Sequence, residues 1–185
     1  MKFVLGISGA SGVIIGIRLL QELQNHEILL VITQNAQKIL GYETDYSLEE
    51  IKKMATKVYQ NEEMDADIAS GTNKFDALII TPCSTSTLSK IACGIADNLL
   101  TRVAAVALKE RRKIIIVPRE TPLSAVVLKN MYELSKLGVV ILPPVPAFYL
   151  RPRSIEDVVD YVVGKILDVL GIKHELYTPY SPKVI

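Results

Sequence analysis

The most constraining feature of this sequence is the alternation of short apolar runs with longer segments of helical periodicity. Residues 2–8, 77–81 and 113–118 are largely apolar runs bounded by turn residues. Runs of this length between helical segments are typical of parallel strands that helices cover on both faces. The sequence therefore predicts an α/β protein built on one parallel sheet.

Five strands and seven helices can be placed along the chain. The strands are expected at residues 2–8, 27–33, 77–81, 113–118 and 139–142. The helices are expected at residues 12–24, 35–40, 47–54, 85–93, 99–110, 123–137 and 154–170. Residues 1–172 would form one domain, whereas residues 173–185, called the tail below, show no clear periodicity. We expect the tail to be disordered or to pack on a neighbouring subunit.

The composition excludes several classes of function. The 185 residues include 21 Lys and Arg against 20 Asp and Glu, so no global basic field attracts nucleic acid or an anionic membrane. No apolar run approaches the roughly 18 residues of a membrane span. Cys83 and Cys93 fit neither a disulfide framework nor a zinc site, and no other spacing suggests a metal. A reducing cytoplasm fits this composition, and His26 and His174 are expected at the surface.

A glycine-rich loop, Gly9-Ala10-Ser11-Gly12, joins the first predicted strand to the first helix. Free N–H groups and the helix dipole at such a junction bind anions, and glycine lets a ligand approach the backbone. The loop has neither the Gly-Lys-Ser/Thr of a Walker sequence nor the spacing of a dinucleotide fingerprint. It therefore favours a mononucleotide, and the alternative is a plain turn in which Ser11 caps the helix.

A run of hydroxyl side chains follows the third predicted strand, at the edge where open α/β sheets bind their ligands. The run is Pro82-Cys83-Ser84-Thr85-Ser86-Thr87. Hydroxyls and first-turn N–H groups suit phosphate oxygens, although they also suit a helix cap. Two such loops at one edge favour nucleotide binding. Cys83 has no nearby histidine or basic residue, so we expect a packed thiol and not a nucleophile.

Charged residues are expected near the same edge. Arg102 and Lys109 lie seven residues apart on one face of a predicted helix and could share an anion. By position they would converge on one rim with residues of the next two loops, unless all of them form a solvated surface. Those residues are Arg119, Glu120, Tyr149, Arg151 and Arg153. Glu43 and Glu120 are the acids best placed for proton transfer.

Several further motifs accompany these loops. They are Ser8-Gly9-Ala10-Ser11-Gly12, Glu43-Thr44, Pro82-Cys83-Ser84-Thr85, the runs 97–102 and 108–112, and Pro118-Arg119-Glu120-Thr121-Pro122. In combination they resemble the UbiX-type flavin prenyltransferases, historically described as aromatic-acid decarboxylases. The resemblance extends along nearly the whole chain, through Pro146-Ala147-Phe148-Tyr149.

The resemblance implies a Rossmann-like or flavodoxin-like, doubly wound fold and a homo-oligomer as large as a dodecamer. It also implies a metal-independent reaction that joins the dimethylallyl group of dimethylallyl monophosphate to N5 and C6 of reduced FMN. The product in that family, prenylated FMN, is the cofactor of UbiD-type decarboxylases. The sequence leaves open whether the donor is the mono- or the diphosphate.

The resemblance also assigns residues to the two substrates. The catalytic residues would be Ser11, placed near N5, with Glu43, Lys109 and Glu120. FMN would be bound by Gly9, Ala10, Ser11, Thr33, Ser84, Thr85, Ser86, Thr87 and Arg119. Dimethylallyl phosphate would be bound by Arg102, Lys109, Glu120, Tyr149 and Lys165, the last two from a neighbouring subunit. Many relatives have arginine at Lys165, and lysine offers a point charge instead of a fork.

Two other functions remain open at this stage. A flavin-dependent cysteine decarboxylase would share the fold and FMN, but its catalytic histidine and its Pro-x-Met-Asn loop have no counterpart here. A non-catalytic FMN carrier or electron-transfer protein would explain the nucleotide loops. It would give no role to Arg102, Lys109, Glu120 and Tyr149.

Overall fold

A parallel sheet lies at the centre of the computed structural model, which describes residues 1–181. Its strands are β1 (Lys2–Ile7), β2 (Glu27–Ile32), β3 (Lys57–Tyr59), β4 (Ala77–Cys83), β5 (Lys113–Pro118) and β6 (Val140–Ile141). They are ordered β3-β2-β1-β4-β5-β6, and every neighbouring pair is parallel. The order runs outward in both directions from the β1–β4 pair, which is the doubly wound arrangement. The predicted fold class is therefore confirmed.

Seven α-helices cover the two faces of the sheet within residues 1–181. They are α1 (Val13–Glu22), α2 (Gln34–Glu43), α3 (Leu48–Lys53), α4 (Thr85–Ala92), α5 (Leu99–Lys109), α6 (Ala125–Lys136) and α7 (Ile155–Leu170). Two short 3-10 turns lie at Asp67–Ala69 and Phe148–Leu150. Each α-helix begins close to its predicted start, and polar capping residues precede every one of them except α1, which Gly12 precedes.

Side-chain caps fix the starts of most of these helices. The hydroxyl of Ser47 accepts a hydrogen bond from the N–H of Glu50 at 3.2 Å before α3. The amide oxygen of Asn98 accepts one from the N–H of Thr101 at 3.1 Å before α5. Ser154 begins α7 with a capping box of the same kind. Each such cap stabilises the fold by about 1 kcal/mol.

The core divides between the two faces of the sheet, because successive strand residues point to opposite sides. Phe3, Leu5 and Ile7 of β1 pack on one face together with α1 and α7. Val4 points to the other face, which α4, α5 and α6 cover. Each fully buried apolar side chain contributes about 1.5–3 kcal/mol. Residues of α5 and residues of α7 therefore lie on opposite sides of the sheet.

Strand β3 lies outside the predicted set. It has three residues and pairs with β2 at the edge of the sheet. A segment this short carries too little alternation to be distinguished from a loop. Strand β6 is predicted correctly, although its paired part, Val140–Ile141, is shorter than the expected range.

The described part of the tail, residues 173–181, packs on α7 of its own chain. The ring of Tyr177 lies edge-on to Tyr161 of α7, with 5.1 Å between ring centroids. This segment is therefore ordered by aromatic packing, which a search for periodicity does not register. Residues 182–185 lie outside the described residues, and both the boundary at residue 172 and packing on a neighbouring subunit stay predictions.

Among the helices of residues 1–181, none combines the length and the apolar character that a membrane crossing requires.

Candidate active site

The glycine loop after β1 and the hydroxyl loop after β4 lie side by side, because β1 and β4 are paired in the sheet. Ser8 joins the two loops. Its buried hydroxyl accepts a hydrogen bond from the N–H of Ser84 at 2.8 Å and donates one to the carbonyl oxygen of Pro82 at 3.0 Å. One buried hydroxyl therefore fixes the position of each loop relative to the other.

The path of the first loop requires two of its glycines. Gly12 has a φ of +96°, a left-handed conformation that disfavours any side chain. Gly9 lies against the start of α2, where an added Cβ would be 2.6 Å from the Cβ of Asn35. Glycine at these two positions lets the loop turn tightly into α1 while it passes close to α2.

The carboxylate of Glu43 occupies the N terminus of α1. Its Oε2 accepts hydrogen bonds from the N–H groups of Gly12 at 2.8 Å and Val13 at 3.2 Å. Gly12 provides no side-chain cap, so Glu43 takes this role from the end of α2 and complements the helix dipole. The anion-binding position that the sequence predicts here is thus filled by a carboxylate of the protein. Because Glu43 would repel a second anion at these N–H groups, we expect a ligand phosphate to bind elsewhere along this edge.

The N terminus of α4 offers such a position. Ser84 caps the helix: its hydroxyl accepts from the N–H of Thr87 at 3.2 Å and donates to the hydroxyl of Thr87 at 3.0 Å. Within residues 1–181, the N–H groups and hydroxyls of Thr85 and Ser86 have no hydrogen-bond partner. These donors lie at the positive end of the helix dipole, which suits a phosphate group.

The remaining residues predicted to bind FMN lie along the same edge. Thr33 follows β2, beside β1, and its hydroxyl caps α2 by accepting from the N–H of Ala36 at 3.3 Å. Arg119 follows β5, and its N–H donates to the carbonyl oxygen of Cys83 at 3.2 Å. Glu120 is the next residue and is exposed, as Arg119 is. The structure therefore brings the predicted FMN group to one edge of one sheet.

Arg102 and Lys109 line one cavity, as their helical spacing predicts. The cavity has a volume of about 430 Å³ and lies between α5 and residues 69–72. The Nε of Arg102 donates to the carbonyl oxygen of Ala69 at 3.2 Å, and Lys109 forms an ion pair with Glu110. Two cations beside one cavity suit a single anion.

Within one chain, however, the predicted cations do not converge on one rim. Lys109 ends α5 just before β5 begins, which places it at the amino edge of the sheet. Arg119 and Glu120 follow the other end of β5, and a strand of this length spans about 20 Å. A helix between two parallel strands runs back along the sheet, so its last turn lies opposite the ligand loops. That part of the sequence-based expectation is wrong for the single chain.

Tyr149 and Lys165 lie in a further region, beside the tail. Lys165 belongs to α7, and its Nζ is 2.9 Å from Oδ2 of Asp168. Tyr149 is exposed in the loop before α7, and its ring lies edge-on to Tyr180 with 5.4 Å between centroids. Because α5 and α7 cover opposite faces of the sheet, Lys165 does not meet Arg102 or Lys109 within one chain.

Three pKa shifts describe the chemistry of these groups. Cys83 is fully buried, so the prediction of a packed thiol is confirmed, and burial raises the pKa of this thiol to about 12. Burial alone would raise the pKa of Asp168, but hydrogen bonds from Tyr177, Lys165 and His174 outweigh it and lower this pKa to about 2. The hydrogen bond to Asp168 holds the pKa of Lys165 above its ordinary value. Asp168 and Lys165 are therefore both charged at neutral pH.

Three residues have clear roles that the sequence does not assign. Ser8 ends an apolar strand, and a buried serine at that position is itself a signal of a hydrogen-bonding role. Asp168 follows Lys165 by three residues on a helix, a spacing that indicates an ion pair. The expectation that His174 lies at the surface is wrong, since its side chain is 7% exposed and contacts Asp168. Among the described residues, no three His, Cys, Asp or Glu side chains cluster as a metal site would require.

Comparison with known proteins now adds to this geometry. A family model described as Flavoprotein matches residues 1–167. The chain is 49% identical over 178 residues to the flavin prenyltransferase UbiX of Methanocaldococcus jannaschii, covering 96% of this chain and 97% of that protein. The chain belongs to the UbiX family of flavin prenyltransferases.

Solved structures of the UbiX family have the same fold. The dodecameric FMN-dependent UbiX-like decarboxylase from Escherichia coli O157:H7 superposes with a TM-score of 0.96 at 40% identity, covering 98% of this chain and all of that one. AnUbiX (PadA1), in complex with FMN and dimethylallyl pyrophosphate, also gives a TM-score of 0.96 at 40% identity, covering 98% of this chain and 97% of the other. The predicted family and its flavodoxin-like fold are therefore confirmed.

Proposed function

We propose that this chain is a flavin prenyltransferase that joins the dimethylallyl group of dimethylallyl monophosphate to reduced FMN. The bond to N5 of the flavin forms as the C–O bond to the phosphate breaks, and the phosphate leaves with the proton of N5. The bond to C6 forms from the electron pair of the prenyl double bond, while C6 loses a proton and the prenyl chain gains one. The observation that carries this proposal is the likeness, along nearly the whole chain, to AnUbiX, whose structure holds FMN and dimethylallyl pyrophosphate. Arg102 and Lys109 line one cavity, where they would bind the phosphate of this donor together with Lys165 of a neighbouring subunit.

The edge of the sheet supports FMN binding. We assign the FMN phosphate to the first turn of α4, where the N–H groups and hydroxyls of Thr85 and Ser86 are free among the described residues. Arg119 would add a positive charge beside it. Ser11 would lie near N5 of the flavin, since the glycine loop is held next to the hydroxyl loop through Ser8. The remaining ligands would be Gly9, Ala10, Thr33, Ser84 and Thr87.

The cationic residues support cleavage of the allylic phosphate. Reduced FMN supplies the nucleophilic atoms, and the protein must stabilise the charge that develops on the leaving phosphate. Arg102, Lys109 and Lys165 would compensate this charge without a metal ion, and the hydroxyl of Tyr149 would donate a hydrogen bond. Glu120 would transfer a proton at the departing phosphate. Glu43 would help order the glycine loop and assist proton removal as the new ring closes.

The separation of these residues within one chain supports a site shared between subunits. Lys109 lies at the amino edge, whereas Glu120 lies at the carboxyl edge and Lys165 lies across the sheet. Exposed apolar side chains on α6 and near α7 are available to bury in contacts between copies. They include Val126, Leu128, Tyr132, Leu137, Phe148 and Ile155. We propose a homo-oligomer, a dodecamer like that of the Escherichia coli relative, in which neighbours complete each site.

The product of the proposed reaction, prenylated FMN, serves another enzyme as its cofactor. We propose that a UbiD-type decarboxylase receives it. Reduced flavin and free thiols both suit a reducing compartment, and we therefore propose the cytoplasm.

An anaerobic incubation with reduced FMN and dimethylallyl monophosphate tests the reaction directly. Mass spectrometry of the released flavin should show a gain of one isoprene unit, together with release of inorganic phosphate. A parallel incubation with the diphosphate identifies the donor. A protein that binds FMN and returns it with unchanged mass from both incubations would instead be a flavin carrier.

A further inference from the structure

Asp168 gathers hydrogen-bond donors from two separate segments. Its Oδ2 accepts from the Nζ of Lys165 at 2.9 Å and from the hydroxyl of Tyr177. Its Oδ1 is 3.1 Å from Nε2 of His174. Lys165 belongs to α7, whereas His174 and Tyr177 belong to the tail. The carboxylate of Asp168 therefore connects the tail to α7. It also pairs with Lys165, the cation that we propose binds the phosphate of the prenyl donor.

Gly164 provides the space in which the tail lies. A Cβ added at this position would be 2.7 Å from the ring atoms Cδ1 and Cε1 of Tyr177 and 2.8 Å from Cε1 of His174. Glycine inside a helix is less favourable than alanine, so helix propensity does not explain why residue 164 is a glycine. The two tail rings explain it, because they rest directly on the backbone of α7 beside Lys165.

The seated tail also reaches the region of Tyr149. From its anchor at Asp168 it continues to Tyr180, whose ring packs edge-on against Tyr149. A cavity of about 730 Å³ lies between the tail and the loop that leads into α7. Its lining includes Tyr149, Arg151, Arg153, Tyr177 and Tyr180. The tail is thus connected to both residues, Lys165 and Tyr149, that we expect a neighbouring subunit to contribute to the donor site.

We infer that Asp168 is a positioning residue whose carboxylate couples the seating of the tail to the binding of the prenyl donor by Lys165. This inference rests on the proposed function. Lysine carries a compact charge on a flexible stem, so its direction depends on a partner more than that of arginine. With the tail seated, Asp168 shares its two oxygens among Lys165, Tyr177 and His174, and Lys165 keeps an N–H group for a phosphate. When the tail is released, Asp168 loses Tyr177 and His174 and pairs with Lys165 alone. The tighter ion pair then draws the ammonium group of Lys165 away from the phosphate of dimethylallyl monophosphate.

The substitution Gly164→Ala tests this coupling without removing any polar group. The added methyl displaces Tyr177 and His174, whereas α7 itself gains a better helix former. Gly41→Ala is the matched control, because Gly41 is also helical and a Cβ there has no atom within 4 Å. Hydrogen–deuterium exchange of residues 173–181 measures tail seating in the full-length, FMN-loaded oligomer. Calorimetric titration with dimethylallyl monophosphate, on oxidised FMN that cannot react, measures donor affinity.

We expect Gly164→Ala to increase exchange in residues 173–181 and to weaken donor binding about tenfold, the effect of roughly one lost hydrogen bond. FMN affinity should stay unchanged, and Gly41→Ala should match the wild type in both measurements. Asp168→Asn should increase tail exchange as Gly164→Ala does. If Asp168→Asn leaves the exchange of residues 173–181 unchanged, Asp168 does not anchor the tail. If the wild type and Gly164→Ala bind dimethylallyl monophosphate equally well, or if neither binds it, the seating of the tail is not coupled to donor binding. Neither measurement requires turnover, so a failure to prenylate FMN would reject the proposed function separately.

Discussion

Glu43 places its carboxylate on the N terminus of α1, where Oε2 lies 2.8 Å from the N–H of Gly12. The two residues belong to different elements, the end of α2 and the loop after β1. This contact gives Glu43 a structural role in addition to the proton-transfer role that we propose. In the proposed site it would also favour α4 over α1 as the position of the FMN phosphate, because two anions would compete for the same N–H groups.

Replacing Glu43 with Gln should separate these two roles. The amide oxygen can still accept from Gly12 and Val13, but the negative charge at the helix N terminus is lost. We expect the free energy of unfolding to fall by about 0.3–1 kcal/mol, measured by chemical denaturation. Prenylation should slow far more than this small loss explains, with FMN affinity retained. Glu49→Gln, at the exposed start of α3, is the control; a prenylation rate for Glu43→Gln equal to that of the control would remove Glu43 from the chemistry.

The ligand loops could be predicted from the sequence because their signals are local. A glycine run and a hydroxyl run each follow an apolar strand, and parallel strands bring such ends to one edge. Contacts such as that of Glu43 with Gly12 join residues far apart in the chain, so no local pattern reveals them. Lys109 shows the same limit. The spacing from Arg102 predicts the helical face on which Lys109 lies. The edge of the sheet at which Lys109 lies depends instead on the direction in which α5 runs between β4 and β5.

Ser8→Ala should uncouple the two ligand loops. The substitution leaves the N–H of Ser84 without its acceptor in a partly buried position, and loss of such a partner costs about 1–3 kcal/mol of unfolding free energy. FMN affinity should fall as well, because the separation of the loops is no longer fixed. Ser135→Ala, on the exposed face of α6, is the control for loss of a hydroxyl. If Ser8→Ala unfolds and binds FMN as the control does, Ser8 does not hold the loops together.

Glu120→Gln should keep FMN binding and lose turnover. Glu120 is exposed at the carboxyl edge, and its Oε1 accepts from the N–H of Thr121 at 3.0 Å, a contact that the amide oxygen of Gln can preserve. Loss of a positioned acid or base slows a reaction by about a hundredfold to ten-thousandfold. Single-turnover prenylation followed by mass spectrometry gives this rate. Glu133→Gln, paired with Lys136 on α6, is the control, and a wild-type rate for Glu120→Gln would exclude proton transfer by this residue.

Acid should release the tail through Asp168. The pKa of this carboxyl group is about 2 in the folded chain, because the hydrogen bonds from Tyr177, Lys165 and His174 outweigh burial, and its ordinary value is 3.8. A lowered pKa stabilises the fold above the ordinary value, and this contribution disappears as the pH falls toward the folded value. The difference in unfolding free energy between the wild type and Asp168→Asn should therefore be constant above about pH 5 and shrink between about pH 4 and 2. A difference that does not change across this range would show that the carboxylate charge does not hold the tail.

Mixed oligomers should reveal whether neighbouring subunits complete each site. Lys109 and Glu120 lie at opposite ends of β5, so one chain cannot present both to one donor molecule. Lys109→Ala and Glu120→Gln should each be nearly inactive alone. After joint unfolding and refolding in equal amounts, random mixing should restore about a quarter of wild-type activity, because that fraction of sites would combine an intact Lys109 from one subunit with an intact Glu120 from another. A refolded mixture of wild type with each variant controls for losses during refolding. Activity no higher than the sum of the two separate variants would mean that both residues act from the same subunit or that one of them does not act.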